Sequence, residues 1–247
     1  MKAFYTHVGR YCIMIGHAFA RTDRLSVLRK QVMFEIDKIG VQSLGIVALL
    51  SLFMGAVVTL QTAVNIDSAW IPRYTIGFTV RQTMILEFSP TIISLILAGK
   101  VGSNIASEIG TMRVTEQIDA LDIMGVNSAG YLILPKIIGA VMIFPFLVLI
   151  SMFLGIAAGA VIGEAAGVIT YNDYEYGIQF DFRPYHVPYA LTKSLFFAFI
   201  ITSVSSYCGY FTKGGALEVG RSSTQAVVYS IVLIMTTNYV LTQLLLL

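Results

Sequence analysis

Glu87 is the residue whose type and setting first suggest chemistry. It lies in Met84-Ile85-Leu86-Glu87-Phe88-Ser89-Pro90, an otherwise apolar run. A carboxylate in a membrane helix costs roughly 2.5–3.5 kcal/mol on insertion scales. Pro90 lacks the amide hydrogen that would reach the carbonyl near residue 86, which favours a kink. A carboxylate at a bend suits a cavity wall. The pattern equally fits a Glu87 that reaches the membrane surface or pairs with Arg81. Enzyme chemistry is hard to find. Gly99-Lys100 is followed by Val101, and Ser94 stands where a phosphate loop needs its first glycine. The 3 histidines, His7, His17 and His186, are not at metal-ligand spacing. No G-x-S-x-G elbow occurs. The chain is expected to be non-catalytic, with no metal or cofactor of its own.

A second cluster spans Asn104 to Gly125. Val114, Ile118 and Leu121 recur at helical spacing, as do Arg113, Glu116 and Asp119 on a polar side. Gly125 is placed to stop a helix, and Pro135 suits the first turn of the next one. The spacing predicts one amphipathic helix over about 104–124. Such a helix either inserts into a groove of a soluble partner or lies solvated on the surface. A third feature is Ser151, Gly155, Gly159, Gly163 and Gly167, a row at every fourth position. Small residues at this spacing let helix backbones approach closely. The row fits packing within one subunit or between two.

These residues need elements to hold them. The 247-residue chain is 56% hydrophobic and 12% charged, with mean hydropathy +0.78. Soluble domains carry roughly 25% charged residues. A single domain of this length could not hide so much apolar surface from water. Residues 39–66, 137–163, 194–212 and 222–247 carry no charge. Each run is long enough to cross ~30 Å of hydrocarbon. Another apolar stretch is interrupted by Arg81 and Glu87. The expectation is an all-α membrane protein, one domain over 1–247, with five spans near 41–64, 78–99, 137–163, 191–211 and 225–246.

Of the 16 Lys and Arg, twelve fall on the N-terminal side and in the second and fourth connections. Only Arg73, Arg81, Arg183 and Lys193 fall on the other side. The N-terminus is therefore expected in the cytoplasm and the C-terminus outside. Cys12 and Cys208 then face the reducing side as unpaired thiols. Within 1–38, Phe4, Val8, Tyr11, Ile15 and Phe19 form one face, with Arg10, His17, Arg21 and Arg24 opposite. That predicts a helix lying in the membrane interface. The segment near 165–190 reads as an ordered cap with interfacial aromatics. A net charge of +2 gives no reason to expect nucleic acid.

Ala98-Gly99-Lys100-Val101-Gly102-Ser103, followed by the run from Glu108 to Leu121, resembles the MlaE/YrbE family of ABC-transporter permeases. Leu134-Pro135-Lys136, Glu87-x-x-Pro90 and Gly220-Arg221 with Thr224 are similar too. The likeness runs from about 30 to 245. It implies a homodimeric five-span permease of the bacterial inner membrane. Its implied partners are an ABC ATPase that binds ATP and Mg, a periplasmic MCE-domain protein and a STAS-type accessory protein. Together they would move phospholipids or related lipids between inner and outer membranes and maintain outer-membrane lipid asymmetry. By the resemblance, residues 104–124 form the coupling helix, with Glu108, Gly110, Arg113, Glu116 and Asp119 in it. Glu87, Leu60, Gln61 and Pro90 are placed near the lipid path. The family commonly has Arg-Glu-Leu-Gly-Pro where this chain has Leu86-Glu87-Phe88-Ser89-Pro90, and aspartate at the position of Asn238. A passive scaffold for the MCE ring, or a self-sufficient carrier or channel, are the competing readings.

Overall fold

The computed structural model describes residues 2–20, 25–66 and 71–246. Arg21 and Arg24, counted above, lie outside the described residues, as does the side chain of Phe4. All regular structure among the described residues is helical. The elements are α1 (Lys2–Ala20), α2 (Leu25–Asn65), α3 (Tyr74–Val114), α4 (Gln117–Ile123), α5 (Ser128–Leu132), α6 (Leu134–Ala165), α7 (Tyr171–Gln179), α8 (His186–Tyr210) and α9 (Ala216–Leu246). Five of them, α2, α3, α6, α8 and α9, are long and apolar enough to cross a membrane.

All five expected spans are present, but the first two belong to helices of 41 residues each. Charges do not end these helices: Glu35, Lys38, Glu87 and Glu108 are in ion pairs, and Arg81 and Lys100 bond backbone carbonyls. The expected separate helix over 104–124 is corrected accordingly. Residues 104–114 continue α3, and only α4 is independent. The break falls at Thr115 and Glu116, where Glu116 adopts a left-handed φ of 59°. Gly125, at φ 77°, closes α4 as expected. The Val126 amide donates to the Leu121 carbonyl at 3.1 Å and the Gly125 amide to that of Asp122 at 3.0 Å. That pair of bonds is a Schellman stop.

Two compact units emerge. One comprises Met1–Gln42, Leu95–Phe144 and Leu195–Leu247; the other comprises Ser43–Ser94 and Pro145–Ser194. In the first, α1 lies on α8. The Tyr11 hydroxyl donates to Ser203 Oγ at 2.8 Å, and His7 Nδ1 lies 2.7 Å from the Tyr207 hydroxyl. Met14 and Ala18 are buried, while Val8 and Phe19 are exposed. The buried face is thus rotated from the Phe4, Val8, Tyr11, Ile15, Phe19 stripe. Polar partners on α8, and Asn127 before α5, hold a face that apolar spacing alone misassigns.

In the second unit the small-residue row is the seam. Gly55 lies against the Gly155 backbone, leaving no room for a Cβ on Gly55, whereas a Cβ on Gly155 would meet the end of the Met84 side chain. Gly159 lies against Thr59 and Tyr174, and a Cβ on Gly163 would lie 2.8 Å from Ile169. The row therefore packs within this chain. Gly167 is an exception to the packing expectation. It follows α6 at φ 68° with no neighbour near its Cβ position, and its role is to stop the helix. The 165–190 segment is ordered as expected, with α7 laid on α3. Tyr174 is fully buried there and donates to the Ile156 carbonyl at 3.1 Å. Burial pushes its phenol up to about 12, so it stays a donor at neutral pH.

A Gly55→Ala substitution must move a backbone and should destabilise the protein by about 1–3 kcal/mol. Gly45, with open space at its Cβ position, is the control. Gly45→Ala should unfold at the wild-type temperature or slightly above it. Thermal melts in detergent check both.

Candidate functional site

Pro90 sits inside a π-helical stretch, Met84–Ile92, in α3. The proline ring has no N–H, so this stretch lacks one backbone donor. Lys193 of α8 packs against it. Its Nζ is 3.4 Å from the Leu86 carbonyl and 2.8 Å from Glu87 Oε1. It also lies 4.5 Å from the ring centre of Tyr189, one turn earlier on α8. The Lys193 side chain is 0% exposed, whereas that of Glu87 is 44% exposed. Thr91 Oγ1 donates to Glu87 Oε2 at 3.2 Å. The ammonium is buried among three electron-rich groups, and the carboxylate faces outward beside it.

The pairing corrects one alternative for Glu87. Arg81 is not its partner. Arg81 is buried and donates to the carbonyls of Ile178, Phe180 and Asp181 at 2.6, 2.9 and 3.3 Å. It pins the end of α7 and the turn beyond it. Arg81 and Lys193 were counted as loop charges in reading the topology, but both sit inside helices. Lys193 is the site residue that sequence reasoning missed. The available signal was a lone lysine eight positions into a helix starting at His186, and the charge-free run beginning at residue 194 hid it.

The other residues placed by resemblance near the lipid path divide. Pro90 is at the site. Leu60 and Gln61 are on α2, exposed, opposite the buried Val58, Thr59 and Thr62. No hydrogen bond ties them to Glu87. Next to the π-helical stretch is a small crevice lined by Leu50, Met54, Met84, Phe88, Ile92 and the serines Ser51 and Ser151. Ser51 donates to Ser151 at 2.8 Å, and Ser151 to Ser89 at 3.2 Å. This chain of hydroxyls ties α2, α6 and α3.

The residues of the 104–124 segment also divide. Arg113 and Asp119 are brought together across the break, 2.6 Å apart. The Arg113 guanidinium lies 6.0 Å from the Tyr210 ring centre, and the Tyr210 hydroxyl is 2.9 Å from Ser128 Oγ. Ile118 is buried, while Ile123 and Met124 at the end of α4 are exposed. Glu116 is exposed at the joint. Glu108 and Gly110 point inward instead. Glu108 bonds Lys38 and Lys136, each at 2.8 Å. Gly110 packs against Val219 and Thr212. Among the described residues no group of three His, Cys, Asp or Glu side chains is placed to hold a metal ion.

The family model described as Permease MlaE matches residues 32–244. The chain belongs to the MlaE permease family. A probable ABC transporter permease protein of Rickettsia bellii is 39% identical, with 89% of this chain and 83% of the relative covered. A probable ABC transporter permease protein of Synechocystis is 33% identical over 92% of this chain and 86% of its own. The chloroplastic protein TRIGALACTOSYLDIACYLGLYCEROL 1 of Arabidopsis thaliana is 34% identical over 93% of this chain and 65% of its own length. This MlaE-family permease is therefore a multi-pass membrane protein and a transport subunit of ABC type. The Glu87–Lys193 pair is its most unusual feature, an ion pair at a proline-opened turn of an apolar helix.

In this permease, Lys193→Met leaves Glu87 and the Leu86 carbonyl without their cation. Losing a hydrogen-bonded charge should destabilise by about 1–3 kcal/mol. Glu87→Gln in the same background should recover part of that loss, because the carboxylate is no longer uncompensated. A double-mutant cycle of thermal midpoints measures the coupling.

Proposed function

We propose that this chain is the permease of an ATP-driven transporter that moves phospholipids or related glycerolipids between bacterial inner and outer membranes. The observation that carries the reading is the Glu87–Lys193 pair, set at the Pro90 opening and turned outward on the carboxylate side. A polar point on an otherwise apolar helix surface suits a passenger that is mostly hydrocarbon with a charged head. The Arabidopsis relative bears a galactolipid in its name, which supports a glycerolipid cargo.

Glu87, Leu60 and Gln61 are exposed or half-exposed on a single chain. A lipid path along them needs a second wall, and a second copy of the chain supplies one. The working unit is then a homodimer. Hydrolysis of ATP with Mg belongs to a separate ATPase subunit. A periplasmic MCE-domain protein passes lipid onward, and a STAS-type protein accompanies the ATPase. The chain lies in the inner membrane with its N-terminus and the 115–133 connection in the cytoplasm, supported by the excess of Lys and Arg on that side. There α4, with Ile123 and Met124 outermost, enters a groove of the ATPase. Closure of the ATPase pushes α4 and rocks the helices, a rigid-body switch. Arg113, held by Asp119 and Tyr210, positions α4 for that contact, and Glu116 supplies its joint.

The test is reconstitution of the permease with its ATPase and MCE partner in proteoliposomes. Lipid transfer should depend on ATP and fall about tenfold in Arg113→Glu while the complex stays intact. Glu87→Ala should lower lipid cross-linking at position 60 and transfer together. Transfer without ATP or without the ATPase would sink the reading in favour of a self-sufficient carrier. Normal transfer in Arg113→Glu would favour a passive scaffold.

A further inference from the structure

The clearest feature outside the lipid-path site is a cluster of four charges from three helices. Lys136, in the first turn of α6, has a side chain only 4% exposed. Its Nζ lies 2.7 Å from Glu35 Oε1 of α2 and 2.8 Å from Glu108 Oε2 of α3. The same Glu108 oxygen accepts from Lys38 of α2 at 2.8 Å. Two acids and two bases cancel, which is what a low-dielectric setting requires. Glu35 is also buried, and its second oxygen, Oε2, has no partner.

The location gives the cluster meaning. Glu108 precedes the 115–133 connection and Lys136 follows it, so each end of that connection is tied to α2 by an ion pair. The backbones around the cluster are close. A Cβ on Gly139 would lie 3.1 Å from Glu35 Cβ, and Gly40 has no room for a Cβ beside Ile143. Lys100 adds a bond from α3 to the Gln42 carbonyl. Lys38 itself lies in a π-helical turn of α2, Asp37–Val41. Such turns are under-wound segments that recur at functional places in helices.

We propose that Glu35, Lys38, Glu108 and Lys136 are positioning residues of the coupling, an electrostatic clamp that carries displacement of the 115–133 connection into α2. This rests on the reading of that connection as the ATPase contact. Because Glu108 and Lys136 hold both ends, α4 cannot shift without dragging the first membrane helix. The π-helical turn beside the clamp is where α2 takes up the movement. Removing the clamp lets α4 follow the ATPase while α2 stays behind. Hydrolysis then continues and lipid does not move.

The readout is lipid transferred per ATP hydrolysed, measured on the assembled complex in vesicles of phosphatidylethanolamine and phosphatidylglycerol with a fluorescent phosphatidylethanolamine as cargo. Lys136→Met should keep ATP hydrolysis while the ratio falls about tenfold. Lys38→Arg, which retains the charge, should keep the wild-type ratio. Reversal of all four charges (E35K, K38E, E108K, K136E) should restore much of the ratio lost in Lys136→Met. If Lys136→Met does not assemble, Lys38→Met answers instead, since its side chain is 32% exposed and its loss spares the buried pair. It should lower the ratio with hydrolysis retained. A wild-type ratio in Lys136→Met, or in Lys38→Met where that variant stands in, overturns the clamp while leaving the transporter reading intact. Absence of ATP-dependent transfer in the wild-type complex overturns both.

Discussion

An ammonium or guanidinium removed from water must be surrounded by acceptors, and this requirement organises each unit of the permease. In one unit, Lys193 and Arg81 are fully enclosed. Lys193 bonds the Leu86 carbonyl and holds Glu87; Arg81 gathers three carbonyls at the end of α7. In the other unit, Lys136 does the same for Glu35 and Glu108. Each cation joins helices far apart in the chain. Apolar packing gives the helices a reason to associate, but it is non-directional. The cations set which turn meets which.

Proline and cation act together at residues 86–90. A proline within a membrane helix is tolerated when another group re-satisfies the freed backbone. Here that group is charged and brings a carboxylate with it. The π-helical stretch, the proline and the ion pair coincide. Leu86, next to the glutamate, carries no charge, and the positive charge comes from Lys193 of α8.

Much of this was legible in the sequence. Charge-free runs located four of the five spans, because the bilayer excludes unpaired charge, and the apolar run after Glu87 marked the other. Pro90 pointed to an irregular stretch of helix, and Gly125 to a helix end. The row of small residues at every fourth position announced close packing. Two kinds of feature were not legible. Helix lengths were underestimated, because a charge was read as an end, while Glu35, Lys38 and Arg81 have partners more than 60 residues away. Periodicity also left the 104–124 segment as one helix, since nothing in its spacing reveals that Glu116 turns left-handed. Partner choice, Lys193 for Glu87 above all, is decided by tertiary proximity, which a one-dimensional pattern does not encode.

The meeting of Gly55 with Gly155 has a thermodynamic corollary. Most helix contacts freeze rotamers as they form, and each long side chain resists that ordering. A junction of bare main chain has no such freedom to surrender. It is held by dispersion forces and dipoles at short range, with nothing to swivel. Of all the contacts in its unit, this one should fluctuate least, serving as the fulcrum about which more loosely held side chains rearrange.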